Sequence, residues 1–94
     1  MKYIEWDELK NELLKNERGV GFEDVLSAIE DNRVLDIKEH PNKKMYSHQQ
    51  ILIVQLNNYA YLVPFVEDEV KIFLKTIIPS RRETKKHLRK EQKQ

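Results

Sequence analysis

The first half of the chain carries apolar residues at helical spacing in two adjacent segments. Residues 8–18 form a leucine stripe between Asp7, which can cap a helix, and Gly19, which favours its end. The stripe consists of Leu9, Leu13 and Leu14. A second helix is predicted from apolar positions three or one apart, namely Phe22, Val25, Leu26 and Ile29. Together the two helices are expected to form a layer whose apolar side packs on a sheet.

Alternation with a period of two predicts strands on both sides of these helices. A short strand at residues 2–6 precedes them. Four more follow, over residues 34–38, 51–56, 59–66 and 71–78. Asn57 and Asn58 predict a tight hairpin, because asparagine tolerates a positive φ. Pro64 cannot donate a ladder hydrogen bond, so it predicts an outward edge segment or a bulge in its strand.

Two helices followed by antiparallel hairpins predict an α+β fold. The expected order is β-α-α-β-β-β-β-α, with an antiparallel meander sheet that the N-terminal helices cover on one face. A length of 94 residues allows a single domain, spanning 1–94. Its basic C-terminal helix is expected at about 80–92, followed by a frayed tail.

The composition of the chain indicates the cellular compartment in which such a domain works. The chain has no cysteine, which excludes a disulfide framework and a thiolate zinc site. The N-terminal residues lack the apolar region of a signal peptide, and no apolar run approaches the roughly 20 residues that span a bilayer. We expect a cytoplasmic protein without a membrane partner.

The net charge of +1 hides a strong asymmetry along the chain. Residues 75–94 hold eight Lys or Arg against two Glu, a net charge of +6. Residues 1–74 hold nine against fourteen acidic residues, a net charge of −5. The last strand and helix therefore form the positive end of a dipole, which steers a negatively charged partner towards them.

The segment Ser80-Arg81-Arg82-Glu83 matches a capping box, in which Ser80 and Glu83 start the helix and take no part in catalysis. Arg81 and Arg82 lie at the positive end of the helix dipole, where a phosphate is favoured. With Lys75 on the preceding strand they predict a phosphate cradle. Lys85, Lys86 and Arg89 would extend the cationic surface along the helix.

Charge alone leaves nucleic acid, a protein partner and no partner open for this helix. The histidines have no metal-ligand spacing, so we expect neither a metal nor a cofactor. His48 or His40 is a candidate for proton transfer if its loop folds beside the cradle. Among the tyrosines, Tyr46, Tyr59 and Tyr61 could stack on bases, although such residues commonly pack on a sheet.

Three stretches together resemble the BrnT-type toxins of bacterial toxin–antitoxin pairs, which belong to the RelE-like ribonuclease superfamily. They are the opening IEWDELK, the junction GVGFE and the closing KIFLKTIIPSRRETKKHL. The resemblance spans nearly the whole chain.

The resemblance implies an endoribonuclease that needs no metal. In such enzymes a 2′-hydroxyl attacks the adjacent phosphate, and Lys and Arg stabilise the developing charge. It also implies a partner, a small DNA-binding antitoxin through which the toxin contacts DNA only indirectly. The alternative is a non-catalytic interaction module of the same fold, which binds an antitoxin or nucleic acid through its basic helix.

Overall fold

The computed structural model describes residues 2–45 and 48–89. In chain order the elements are β1 (Tyr3–Trp6), α1 (Glu8–Arg18), α2 (Phe22–Glu30), β2 (Val34–Glu39), β3 (Gln49–Leu56), β4 (Tyr59–Glu67), β5 (Lys71–Leu74), β6 (Ile78–Pro79) and α3 (Arg81–Leu88). The predicted α+β class is confirmed. Tyr46, and the predicted continuation of the last helix into residues 90–92 with its frayed tail, lie outside the described residues.

Local signals set the ends of α1 and the turn of the β3–β4 hairpin as predicted. The Asp7 carboxylate accepts a hydrogen bond of 2.9 Å from the Leu9 amide, and Gly19 ends the helix at φ 71° in the left-handed region. Asn57 and Asn58 adopt φ values of 54° and 63°. Positive φ at both central residues matches the twist of the strands that a two-residue turn joins.

The sheet is mixed rather than purely antiparallel. Its main path runs β1-β5-β4-β3-β2, and β6 pairs with β4 beside this path. The strands β2 to β5 form the predicted antiparallel meander, but β1 pairs with β5 in parallel. Parallel pairing needs a long connection, which the rest of the chain between Trp6 and Lys71 provides.

The predicted final strand over residues 71–78 is broken, which changes the expected element order to six strands. β5 ends at Leu74 opposite Phe65, and β6 resumes opposite Leu62. Pro64 lies between these two pairs, in a β4 whose pairing with β3 is uninterrupted. The alternative of a bulge at Pro64 was therefore wrong, whereas Pro64 does lie where β4 has no ladder partner on its β5–β6 side. Proline lacks the N–H that a ladder requires, so the irregularity falls on the strand beside it.

The hydrophobic core lies between α1, α2 and one side of the sheet, which we call the core face. Leu52, Val54 and Leu56 of β3 point to it and pack with Phe22 and Val25 of α2. Of the three leucines in the predicted stripe of α1, only Leu14 is buried. Leu9 and Leu13 remain 79% and 54% exposed. None of the helices in the described ranges has the length and apolar character needed to cross a membrane.

The junction between α1 and α2 is held by a buried amide. Asn11 is fully buried; its Oδ1 accepts from the Phe22 amide at 2.7 Å and its Nδ2 donates to Glu23 at 3.0 Å. The ring of Phe22 in turn stacks on Trp6 of β1 at a centroid distance of 5.6 Å. This cluster joins the first strand, both helices and the core.

Replacing Asn11 by alanine should lower the free energy of unfolding by about 1–3 kcal/mol, because the buried Phe22 amide loses its acceptor. Urea unfolding followed by the fluorescence of Trp6 measures the change. Asn16→Ala is the matched control, since Asn16 is exposed on the same helix. It should change stability by less than about 0.5 kcal/mol. Equal effects of the two changes would show that the buried amide has no special role.

Candidate nucleic-acid interface

The start of the basic helix α3 is anchored to the sheet through the backbone of Ala60. The Ser80 amide donates to the Ala60 carbonyl at 2.9 Å, and the Ala60 amide donates to Thr84 Oγ1 at 2.8 Å. Thr84 Oγ1 also donates to the Ser80 carbonyl at 2.7 Å. Ala60 and Thr84 are buried. These three bonds set where the helix starts and which of its sides faces solvent.

Only half of the predicted capping box forms. Ser80 Oγ accepts from the Glu83 amide at 3.1 Å, as predicted. The Glu83 side chain does not return to the Ser80 amide, because that amide is already bonded to Ala60. Its carboxylate instead binds Lys38 Nζ on β2 at 3.0 Å and His87 Nε2 at 3.1 Å. Lys38 points to the side of the sheet opposite the core face. Glu83 therefore fastens α3 to the sheet on that opposite side.

A cationic cleft lies along one side of α3. Arg81, Lys85 and Arg89 line it together with Thr84 and Tyr59, the first residue of β4, around a volume of about 360 Å³. The three cations are spaced four residues apart, so they follow one another along a single side of the helix. All three are exposed. We call this surface the α3 cleft.

The structure divides the predicted cationic residues between two sides of α3. Arg82 follows Arg81 by about 100° around the helix, so it points away from the α3 cleft. Lys86 lies four residues after Arg82 on that same side, and its charge acts on Glu83. The sequence-predicted residues Arg81, Lys85 and Arg89 therefore share one surface, whereas Arg82 and Lys86 form a second exposed pair.

Lys75 is held away from the start of the helix. Its backbone amide donates to the Pro64 carbonyl, whereas Ser80 bonds to Ala60. Four residues of β4 separate these anchor points, or about 13 Å along the strand. The Lys75 ammonium lies over the ring of Phe73, 5.6 Å from its centroid. The structure does not bring Lys75 together with Arg81 in one cradle.

The candidate proton-transfer residues His48 and His40 lie at the other end of the sheet. His48 is exposed and precedes Gln49, the first residue of β3, whereas Ala60 pairs with Gln55 near the end of that strand. The separation along β3 is about 20 Å. His40 bonds through its backbone to Gln49, at the same distant end. Neither histidine reaches the α3 cleft.

The Lys38–Glu83–His87 cluster is the part of the site that sequence reasoning missed. Glu83 is 7% exposed. Its burial acts to raise the pKa of the carboxyl, but the hydrogen bond and charge of Lys38, with the charges of Lys86 and His87, hold this pKa below its ordinary value. The i, i+4 spacing of Glu83 and His87 in the sequence indicates that these two side chains can meet on a helix. Nothing in the sequence indicates that Lys38, forty-five residues away, joins them.

Comparison of the chain with protein-family models, curated proteins and solved structures finds no match. The resemblance to BrnT-type toxins therefore stays a prediction. Within residues 2–45 and 48–89, no group of three or more His, Asp or Glu side chains could hold a metal ion.

Protonation of Glu83 should loosen α3. Because its pKa is lower in the folded protein, the ion pair stabilises the fold above the ordinary pKa of about 4.3 and loses this effect as the pH falls through the lowered value. The free energy of unfolding, measured with urea, should fall between pH 7 and pH 3. In Glu83→Gln this fall should be about 1 kcal/mol smaller than in the wild type, allowing for the partial exposure of Lys38. Glu17→Gln, at an exposed position on α1, should lose as much as the wild type. A Glu83→Gln loss equal to that of the wild type would refute the role of the pair.

Proposed function

We propose that this protein is the toxin of a toxin–antitoxin pair and an endoribonuclease that binds RNA along the α3 cleft. The observation that carries the proposal is the row Arg81, Lys85 and Arg89 along a concave surface that also contains Tyr59. A row of cations follows a polyanionic backbone, and an aromatic side chain offers a base a surface to stack on. Such an enzyme works in the cytoplasm, where its substrate is found.

The proposed reaction is attack of a ribose 2′-hydroxyl on the adjacent phosphorus, with loss of the hydroxyl proton to solvent. The bond to the 5′-oxygen breaks and this oxygen takes a proton from solvent, so the products are a 2′,3′-cyclic phosphate and a 5′-hydroxyl. Arg81 and Lys85 stabilise the negative charge that builds up on the phosphate oxygens, which is commonly the largest catalytic term. Arg81 is also in the first turn of α3, where the helix dipole adds to its positive charge.

The distribution of charge supports a substrate that approaches α3 first. Of the residues in α3, only Glu83 is acidic, and its carboxylate is taken up by Lys38 and His87. The exposed surface of the helix is therefore uniformly positive. The net charge of −5 on residues 1–74 repels the same polyanion from the rest of the molecule.

The double change Arg81→Ala, Lys85→Ala should abolish RNA cleavage and weaken binding. Loss of two phosphate contacts should reduce the slope of log affinity against log salt by about 1.4 for single-stranded RNA. Arg82→Ala, Lys86→Ala is the matched control, because it removes the same charge from the other side of the same helix. This control should retain cleavage. Fluorescence anisotropy and end-group analysis of the fragments measure the two effects.

If the control pair loses cleavage and the cleft pair keeps it, the site lies on the wrong side of the helix. Salt-sensitive binding by the wild-type protein without any cleavage would favour the alternative, a non-catalytic interaction module. Growth arrest on expression should follow the cleavage result, variant by variant.

An apolar groove on the core face favours the proposed antitoxin as a partner. The groove encloses about 420 Å³ and is lined by side chains from five strands and α2. Ile37 of β2 lies in it and is 54% exposed. Glu67 is its only charged lining residue, and its carboxylate already pairs with Lys2. The groove suits an apolar segment, and we propose that the antitoxin supplies it.

Ile37→Asp should abolish recovery of the antitoxin with the tagged toxin, because a charge in the groove opposes apolar contact. Leu13→Asp is the matched control, since Leu13 has the same exposed fraction of 54% but does not line the groove. Co-purification after expression of the two natural genes together measures recovery. Retention of the antitoxin by Ile37→Asp would place its binding surface elsewhere.

A further inference from the structure

We propose that a small polar cavity at the tip of the β3–β4 hairpin receives a base of the RNA strand held by the α3 cleft, and that this base is guanine. The inference rests on the proposed function. It assigns a role to five residues that lie outside α3, and it gives the enzyme a sequence preference. The cavity is lined by Asp24, Ser27, Arg33, Leu56 and Asn57.

The cavity and the α3 cleft adjoin the same end of the β3–β4 hairpin, although α2 and α3 lie on opposite faces of the sheet. Leu56 lines the cavity, Tyr59 lines the cleft, and these two residues pair directly across the hairpin. The Cα atoms of such a pair are about 5 Å apart. An RNA strand that leaves the α3 cleft at Tyr59 reaches the cavity by passing around the tip of the hairpin.

The charges around the cavity favour a neutral base over a second phosphate. Arg33 is the only cation in the lining, and its guanidinium lies 3.4 Å from the Asp31 carboxylate. Asp24 adds a second negative charge. A phosphate would meet net negative charge here, whereas a base needs hydrogen-bond donors and acceptors without net charge. The volume of about 140 Å³ holds one small planar ligand.

The polar groups of the cavity are fixed in place by the fold. Arg33 donates from Nη1 to the Gln55 carbonyl at 2.9 Å, which orients its guanidinium and leaves other N–H groups for a ligand. Asp24 accepts from the Gly21 amide through Oδ2 at 2.8 Å. Its second oxygen has no protein partner among the described residues. The cavity therefore presents a charged donor and a charged acceptor together.

Guanine fits this pair of groups. It offers the acceptors O6 and N7, which a guanidinium contacts in a bidentate manner, and an N2 amino donor for a carboxylate. Recognition of single-stranded RNA commonly works through such contacts to bases that have left the stack. Ser27 and Asn57 supply further uncharged polar groups at the rim.

Binding of four labelled hexanucleotides tests the assignment. One contains uridine alone, and each of the other three has a single central guanosine, adenosine or cytidine among uridines. The wild-type protein should bind the guanosine oligomer about tenfold more tightly than the other three. Ser27→Leu fills the cavity from an exposed position on α2, and it should remove this preference while keeping the affinity for oligouridine. Arg81→Ala, Lys85→Ala should weaken all four and leave the preference intact.

Asn57→Gly provides a second variant that keeps the hairpin. Glycine accepts the φ of 54° at this position, so the turn is retained while the side chain is lost. It should lower the guanosine preference at least threefold. Three outcomes would overturn the base assignment but not the proposed function. They are equal affinity of the wild type for all four oligomers, a preference for another base, and a guanosine preference that survives Ser27→Leu. Failure to bind any oligomer would overturn the proposed function itself.

Discussion

The hydrogen bonds between Ala60 and the start of α3 are the constraint on which the proposed site depends. Ala60 is buried, so its N–H and C=O need partners, and β6 is only two residues long. Ser80 and Thr84 supply those partners from the first turn of the helix. An eight-residue helix is too short to be stable alone in water, so tertiary contact must stabilise it. The hydrogen bonds to Ala60 thus both position the cationic surface and stabilise it.

The arrangement of charge on α3 is costly and is compensated in a specific way. Cations at i, i+4 repel one another by a few tenths of a kcal/mol per pair, and both Arg81–Lys85 and Arg82–Lys86 have this spacing. Glu83 offsets part of this repulsion, but it does so facing the sheet, where it binds Lys38. The solvent-exposed side keeps its positive charge in full. The proposed RNA substrate would supply the negative charge that offsets this repulsion.

The residues on which the family resemblance rests have different physical roles at the two ends of the chain. Near the N-terminus, Trp6 and Phe22 stack on each other, and Glu23 accepts hydrogen bonds from Asn11, so this part of the motif is explained by packing. The C-terminal part contains exposed cations that no packing requirement explains. Similarity in the first part therefore concerns the fold, and the proposed function depends on the second.

Residue identity sets the features that depend on neighbours within about four positions: both caps of α1, the serine N-cap of α3 and the two-residue hairpin. The apolar pattern along the chain also indicates the α+β class. Which distant segments meet depends on the tertiary structure. The parallel pairing of β1 with β5, the break opposite Pro64 and the burial of Leu14 rather than Leu9 depend on packing between segments far apart in the chain. The division of the cations on α3 depends on it as well. Helical spacing groups Arg81, Lys85 and Arg89, but only the bonds to Ala60 decide that this group faces the cleft.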